Sequence, residues 1–168
     1  RLSLNEAHDY AQIFIDNKLI GTIDRTKNEK SIKLPPVKKG TKLTILIEAM
    51  GRINFGRAVK DFKGITESVT IDTEINGHDV SYHLKNWVIA PISDSHKTAQ
   101  HAFDKLDETN RCFSPINFSS SAIGYYRGYF DLKKVGDTFL NLEQWGKGQV
   151  YVNGHALGRF WRIGPQQT

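Results

Sequence analysis

The chain has 168 residues, of which 39% are hydrophobic and 24% charged, with a formal net charge of +5 and a pI near 9.3. That length suits one large β-sandwich or two small ones, and either buries a core. The 23 basic residues are interleaved with 18 acids, which reads as a mildly basic surface rather than a nucleic-acid stripe; no apolar run offers a membrane span, and the lone Cys112 excludes an intramolecular disulfide.

From the N-terminus, residues 10–15 are aromatic and β-branched, and Asp16-Asn17 follows at once. Two residues that tolerate positive φ make a tight turn, so a hairpin is expected there, with 18–23 as the return strand. A short strand at 31–34 ends at Pro35-Pro36. In 42–49, Leu43, Ile45 and Ile47 alternate with Thr44 and Glu48, the period of a half-buried strand. Further strands are expected at 67–72, 80–92, 124–131, 138–142 and 149–152, the last closed by Asn153-Gly154. Only 95–107, with Ala99, Ala102, Phe103 and Leu106, carries enough helical spacing for one short helix. The expected class is therefore all-β, as two jelly-roll sandwich units at 1–92 and 122–168, the second possibly incomplete, joined by the polar segment 93–121.

An internal repeat supports two units. Gln12-Ile13-Phe14-Ile15-Asp16-Asn17-Lys18-Leu19-Ile20-Gly21 aligns without a gap to Gln149-Val150-Tyr151-Val152-Asn153-Gly154-His155-Ala156-Leu157-Gly158, 137 positions on. A polar residue, three strand formers, a turn pair, a polar residue, two apolar residues and a glycine recur in that order, as expected of one hairpin used in two copies of a fold.

Chemistry is harder to find. Glycoside hydrolysis by the usual route needs two carboxylates flanking the scissile bond, and nothing in the spacing pairs Glu48, Asp61, Glu67 or Glu143. Cys112 and the serines lack a nucleophile motif, the six histidines are isolated, and no metal-ligand spacing occurs, so neither a catalytic residue nor a cofactor or metal is expected. Aromatic rings beside hydrogen-bonding groups can stack on sugars, which makes Trp145, Trp161 and Tyr125 candidates for carbohydrate stacking, each with core packing as the simpler role. Phe55 is different. It lies between Asn54 and Gly56 in the glycine-flanked loop 51–56, where a strand-borne core residue is not expected.

Three blocks carry a family resemblance. Asp9-Tyr10-Ala11-Gln12-Ile13-Phe14-Ile15-Asp16-Asn17, then Ile47-Glu48-Ala49-Met50-Gly51-Arg52-Ile53-Asn54-Phe55-Gly56 through Asp61-Phe62-Lys63-Gly64-Ile65, resemble the first β-domain of family 35 β-galactosidases. Trp145-Gly146-Lys147-Gly148-Gln149-Val150-Tyr151-Val152-Asn153-Gly154, with Leu157-Gly158-Arg159-Phe160-Trp161 and Ile163-Gly164-Pro165-Gln166-Gln167-Thr168, resembles the second. The resemblance implies galactose-binding-like jelly rolls packed beside a (β/α)₈ barrel, in an enzyme that removes terminal β-linked galactose with retention. The catalytic glutamates of the family belong to the barrel, and no position here matches them.

Three expectations follow. The chain is a non-catalytic C-terminal portion whose partner is its own barrel, with the galactoside contacted only indirectly, through Arg52, Asn54 and Phe55 at the substrate entrance. A stand-alone carbohydrate-binding module is the alternative. The family resemblance places the parent outside the cytoplasm, periplasmic, secreted or lysosomal. Because the chain starts at Arg1, has its sole methionine at Met50 and stops where family members continue into further strands, it reads as a segment of a longer protein.

Overall fold

The computed structural model describes residues 1–51, 53–57, 59–93, 95–108 and 123–162; Arg52, Cys112 and the block 163–168 lie outside them. The chain divides into two compact units, Arg1–Ile89 and Ala90–Thr168. The regular structure among the described residues is antiparallel sheet, one 3₁₀ turn at Arg25–Lys27 and one α-helix, which is an all-β architecture.

In the first unit the strands are β1 (Leu2–Leu4), β2 (Ala7–His8), β3 (Tyr10–Ile15), β4 (Lys18–Asp24), β5 (Ser31–Ile32), β6 (Leu43–Glu48), β7 (Gly64–Ile65), β8 (Val69–Ile75) and β9 (His78–His83). They form a four-stranded sheet in the order β5-β1-β8-β9, a three-stranded sheet β4-β3-β6 and the pair β2-β7. The core is one cluster of Leu2, Leu4, Ala7, Ala11, Ile13, Ile23 and Val69, closed at its rim by Ile32, Leu43, Ile45, Ile47 and Ile65. Leu2 and Leu4 point inward on either side of half-buried Ser3, the period-two signature of a strand with one covered face. Strand β3 is central, between β4 and β6, and buries Ala11, Gln12 and Ile13 in succession.

The second unit contains α1 (His96–Glu108) and the hairpin of β10 (Lys147–Val152) and β11 (His155–Trp161). Ser95 opens the helix, its carbonyl and hydroxyl both accepting from the Thr98 N–H, and the apolar stripe expected from the spacing buries Phe103.

The repeat holds down to its irregularities. In the first hairpin Ile13 faces Gly21, the register then slips, and Phe14 faces Leu19; in the second Val150 faces Gly158, the register slips, and Tyr151 faces Ala156. Both turns carry positive φ at both central residues, 46° and 69° at Asp16-Asn17 and 50° and 83° at Asn153-Gly154, the backbone of a tight turn that matches strand twist. The shared geometry runs past the matched ten residues. The Arg25 N–H donates to the Asp9 carbonyl at 3.0 Å, and Arg162 donates to Gly146 at 3.0 Å, the same bond 137 positions on.

Several expected strands differ. The segment 80–92 is a strand only to His83, which faces Thr70 near the start of β8, so the partner strand runs out there; Asn86 then turns left-handed at φ 58°. Its apolar residues Val88 and Ile89 are exposed. The 67–72 strand begins later and runs longer, as β8, and 31–34 pairs only over Ser31–Ile32 before the prolines. Residues 124–131 and 138–142 form no strand, although they are rich in aromatics. Strand propensity expresses itself only against a partner, and these segments have no ladder partner among the described residues. Strands β1, β2 and β7 were not foreseen, being two or three residues long and held by partners distant in sequence.

Candidate functional site

The chemically densest place in the first unit is a knot of ionised side chains where β2, β3 and the loop 49–63 meet. Asp9, just before β3, and Asp61, just before β7, have buried carboxylates that share two cations. Arg25 reaches Asp9 at 2.7 Å and Asp61 at 2.9 Å, and the Lys63 ammonium lies 2.7 Å from each carboxylate. The Met50 N–H adds a bond to Asp9 at 2.8 Å, and the Asp9 N–H donates to the Glu48 carbonyl at 3.0 Å. His8 leans on the same knot, with Nδ1 3.3 Å from Asp61 and against the Phe62 carbonyl, and Nε2 2.9 Å from Glu6, which Lys30 joins from outside at 3.0 Å.

These contacts fix the protonation states. Hydrogen bonds from Arg25 and then Lys63 hold the Asp61 carboxyl well below the usual carboxylate range. Burial pushes Asp9 upward, but bonds from Lys63, Arg25 and the Met50 N–H outweigh it and leave Asp9 lowered. Burial likewise disfavours the Lys63 ammonium, and Asp61 and Asp9 more than reverse this, so its pKa is raised. At neutral pH the pair is therefore two anions locked by two cations. A retaining glycosidase needs one carboxyl that holds and releases a proton beside a free nucleophilic carboxylate, and this arrangement supplies neither.

What the knot does is mechanical. Asp9 holds the start of loop 49–63 through Met50, while Asp61 and Lys63 hold its end, so the loop is clamped at both feet. Between them the chain turns outward, with Gly51 and Gly56 at φ 136° and 87°, backbone that favours glycine. Phe55 stands 88% exposed at its crest, with Asn54 exposed beside it and Phe62 and Val59 exposed lower down. Arg52, named with them from sequence, lies outside the described residues.

The stacking candidates of the second unit have ring neighbours of their own. Tyr126 meets Trp145 edge-on at 4.9 Å, Lys147 lies 5.8 Å over the Trp161 ring, and Tyr125 packs edge-on to Phe103 at 6.4 Å. Trp145 and Trp161 are half-buried and Tyr125 is exposed. The carboxylates weighed for catalysis are dispersed: Glu48 pairs across from Tyr10 on β6, and Glu67 and Glu143 are exposed loop residues. Sequence reasoning missed the knot. Its one local signal was the acid–base alternation Asp61-Phe62-Lys63, which puts opposite charges on one side of an extended chain, but Asp9 and Arg25 join only through the fold.

Antiparallel β-sheets carrying a clamped, ring-bearing loop define an all-β domain. Comparison with known proteins is specific. The family model for the β-galactosidase first all-β domain matches residues 1–92, and that for the β-galactosidase galactose-binding domain matches 123–168. Among similar proteins, the Beta-galactosidase-1-like protein of Mus musculus is 34% identical over 98% of this chain, and the Beta-galactosidase of the same species 33% identical over 98%. The Beta-galactosidase-1-like protein 3 of Rattus norvegicus is 34% identical over 96%. The chain belongs to the β-galactosidase family. It spans about a quarter of the length of these relatives, 23–25%. No helix among the described residues is long and apolar enough to cross a membrane.

Proposed function

We propose that this chain is the non-catalytic part of a retaining β-galactosidase, in which the two β-domains brace a (β/α)₈ barrel and loop 49–63 shapes the substrate entrance. The observation that carries this reading is a fully presented phenyl ring, Phe55, on a loop clamped at both feet by buried ion pairs. An exposed ring costs solvation, and a loop this firmly held suits a surface that must meet another body in a fixed pose. Asn54 adds a polar group next to the ring in the chain, so the leaving-group side of a galactoside would meet one apolar face and a hydrogen-bonding neighbour, and Arg52, three positions before Phe55 in the sequence, is proposed to join it. Family membership supports a location outside the cytoplasm for such an enzyme, periplasmic, secreted or lysosomal.

The test uses the full-length active protein. Phe55→Ala is expected to leave circular dichroism and thermal midpoint unchanged while altering kcat/KM about three- to tenfold for galactosides with bulky aglycones, and little for compact ones. Equal kinetics across the series would remove Phe55 from the entrance. The alternative, a stand-alone carbohydrate-binding module, would use Trp145, Trp161 or Tyr125. It is the weaker reading because each of those rings already has a partner within its own unit. Titration of the 168-residue chain with galactosides separates the two: the bracing role expects no heat and no chemical-shift change.

A further inference from the structure

The basic excess of this chain is not evenly spread. Residues 16–42 hold eight Lys and Arg against three Asp and Glu, which accounts for the whole net charge of +5. Within that segment the fold pairs some of the charges. Arg25 belongs to the buried knot, Lys30 bonds Glu6, and Lys27 faces Asp24, whose other oxygen accepts from Thr26. Glu29 is spent on the Asp24 N–H, and Asp16 on the Lys42 N–H. Lys18, Lys33, Lys38, Lys39 and Lys42 remain, all exposed and with no ion pair among the described residues.

The fold gathers these five at one end of the first unit. The turn of the β3–β4 hairpin is bonded to the chain at residue 42 in both directions, Asp16 N–H to the Lys42 carbonyl and Lys42 N–H to the Asp16 carboxylate, so Lys18 and Lys42 flank one tip. The 38–41 turn closes on itself through Lys38 and Thr41. Beside this tip lies an open groove of about 450 Å³. Lys18 and Lys33 line it, and its floor is Leu19, Ile20, Leu34 and Pro35.

We infer that this groove and its lysines form a docking site for an acidic polypeptide segment that carries aliphatic side chains. Charge complementarity sets the sign of the partner, since five ammonium groups outnumber the one Asp16 carboxylate at this tip and repel one another until a further anion arrives. The floor selects among anions. It holds aliphatic side chains and no aromatic ring, so it offers no stacking face to a sugar or a base, whereas leucine-type side chains would bury against it. Lysines on a sheet edge also deter strand addition, but Lys38 and Lys39 sit in a turn outside any strand.

The test is fluorescence anisotropy of the whole chain with the labelled peptide EELEELEE. Saturable binding is expected at about 30 mM salt, weakened about tenfold at about 300 mM. Lys18→Glu with Lys33→Glu should weaken it at least about tenfold, while the charge-matched control Lys97→Glu with Lys134→Glu changes it less than about twofold. Replacing the two peptide leucines by serine should weaken it about fivefold. The inference is overturned if the peptide does not bind, if the double groove variant binds as well as the parent, or if the control loses as much affinity, which would mean binding by net charge. It is equally overturned if a heparin octasaccharide or a single-stranded oligonucleotide of matched charge binds as tightly as the peptide.

Discussion

The two hairpins at 12–21 and 149–158 share a turn, a register slip and a closing backbone bond, yet they sit in different surroundings. In the first, Ala11, Ile13 and Ile23 are wholly buried, because β6 pairs along the far side of β3 and β1 and β8 supply the facing core. In the second, β10 has β11 as its only ladder partner among the described residues, and all six of its residues are half-buried. The closing position differs too. Asp9 pairs with two cations, Arg25 and Lys63, where its counterpart Gly146 offers only backbone. Local sequence thus writes the hairpin twice, while its stabilisation depends on what packs against it.

The largest effect that separates the pair is expected in the core. Ile13→Ala should destabilise the first unit by about 4 kcal/mol, since it opens a cavity in a closed cluster, whereas the equivalent Val150→Ala should cost about 1 kcal/mol. Amide exchange read separately at each hairpin checks this, and equal losses would break the contrast. Next comes the ion knot of the first unit. Lys63→Met leaves two buried carboxylates sharing Arg25, at a cost of about 3 kcal/mol to the first unit, read as a lower urea midpoint.

Acid should sharpen the same distinction. The folded pKa values of Asp9 and Asp61 are depressed, so their stabilisation is fully present above the usual aspartate range near pH ~4 and is lost as pH falls below it. The urea midpoint of the first unit is therefore expected to drop between about pH 4 and pH 2, with the gap between parent and Lys63→Met narrowing over that interval. A constant gap down to pH ~2 would show that the lysine matters for packing and not for charge. The smallest effect should be common to both hairpins. Asn17→Ala, at the second turn position of the first hairpin, and Asn153→Ala, at the first turn position of the second, each force an alanine to positive φ and should each cost about 1 kcal/mol.

Much of the molecule follows from the chain read in order. Hairpin β3–β4, strand β6, the turn at Asn153-Gly154 and the helical stripe ending in Leu106 follow from alternation, turn chemistry and spacing, all of which act within a few residues. So does Phe55, conspicuous by standing between glycines and exposed in the fold. The family was legible in three motif blocks. What tertiary structure alone decided are matters of distant partners: which aromatic-rich segments became strands, which of eighteen acids met cations, and where unpaired lysines came together. Asp9, Arg25 and Asp61 are far apart in sequence and touch only because β3, its hairpin and a looped-back chain converge. Pairing of that kind is set by long-range packing, and local pattern carries no record of it.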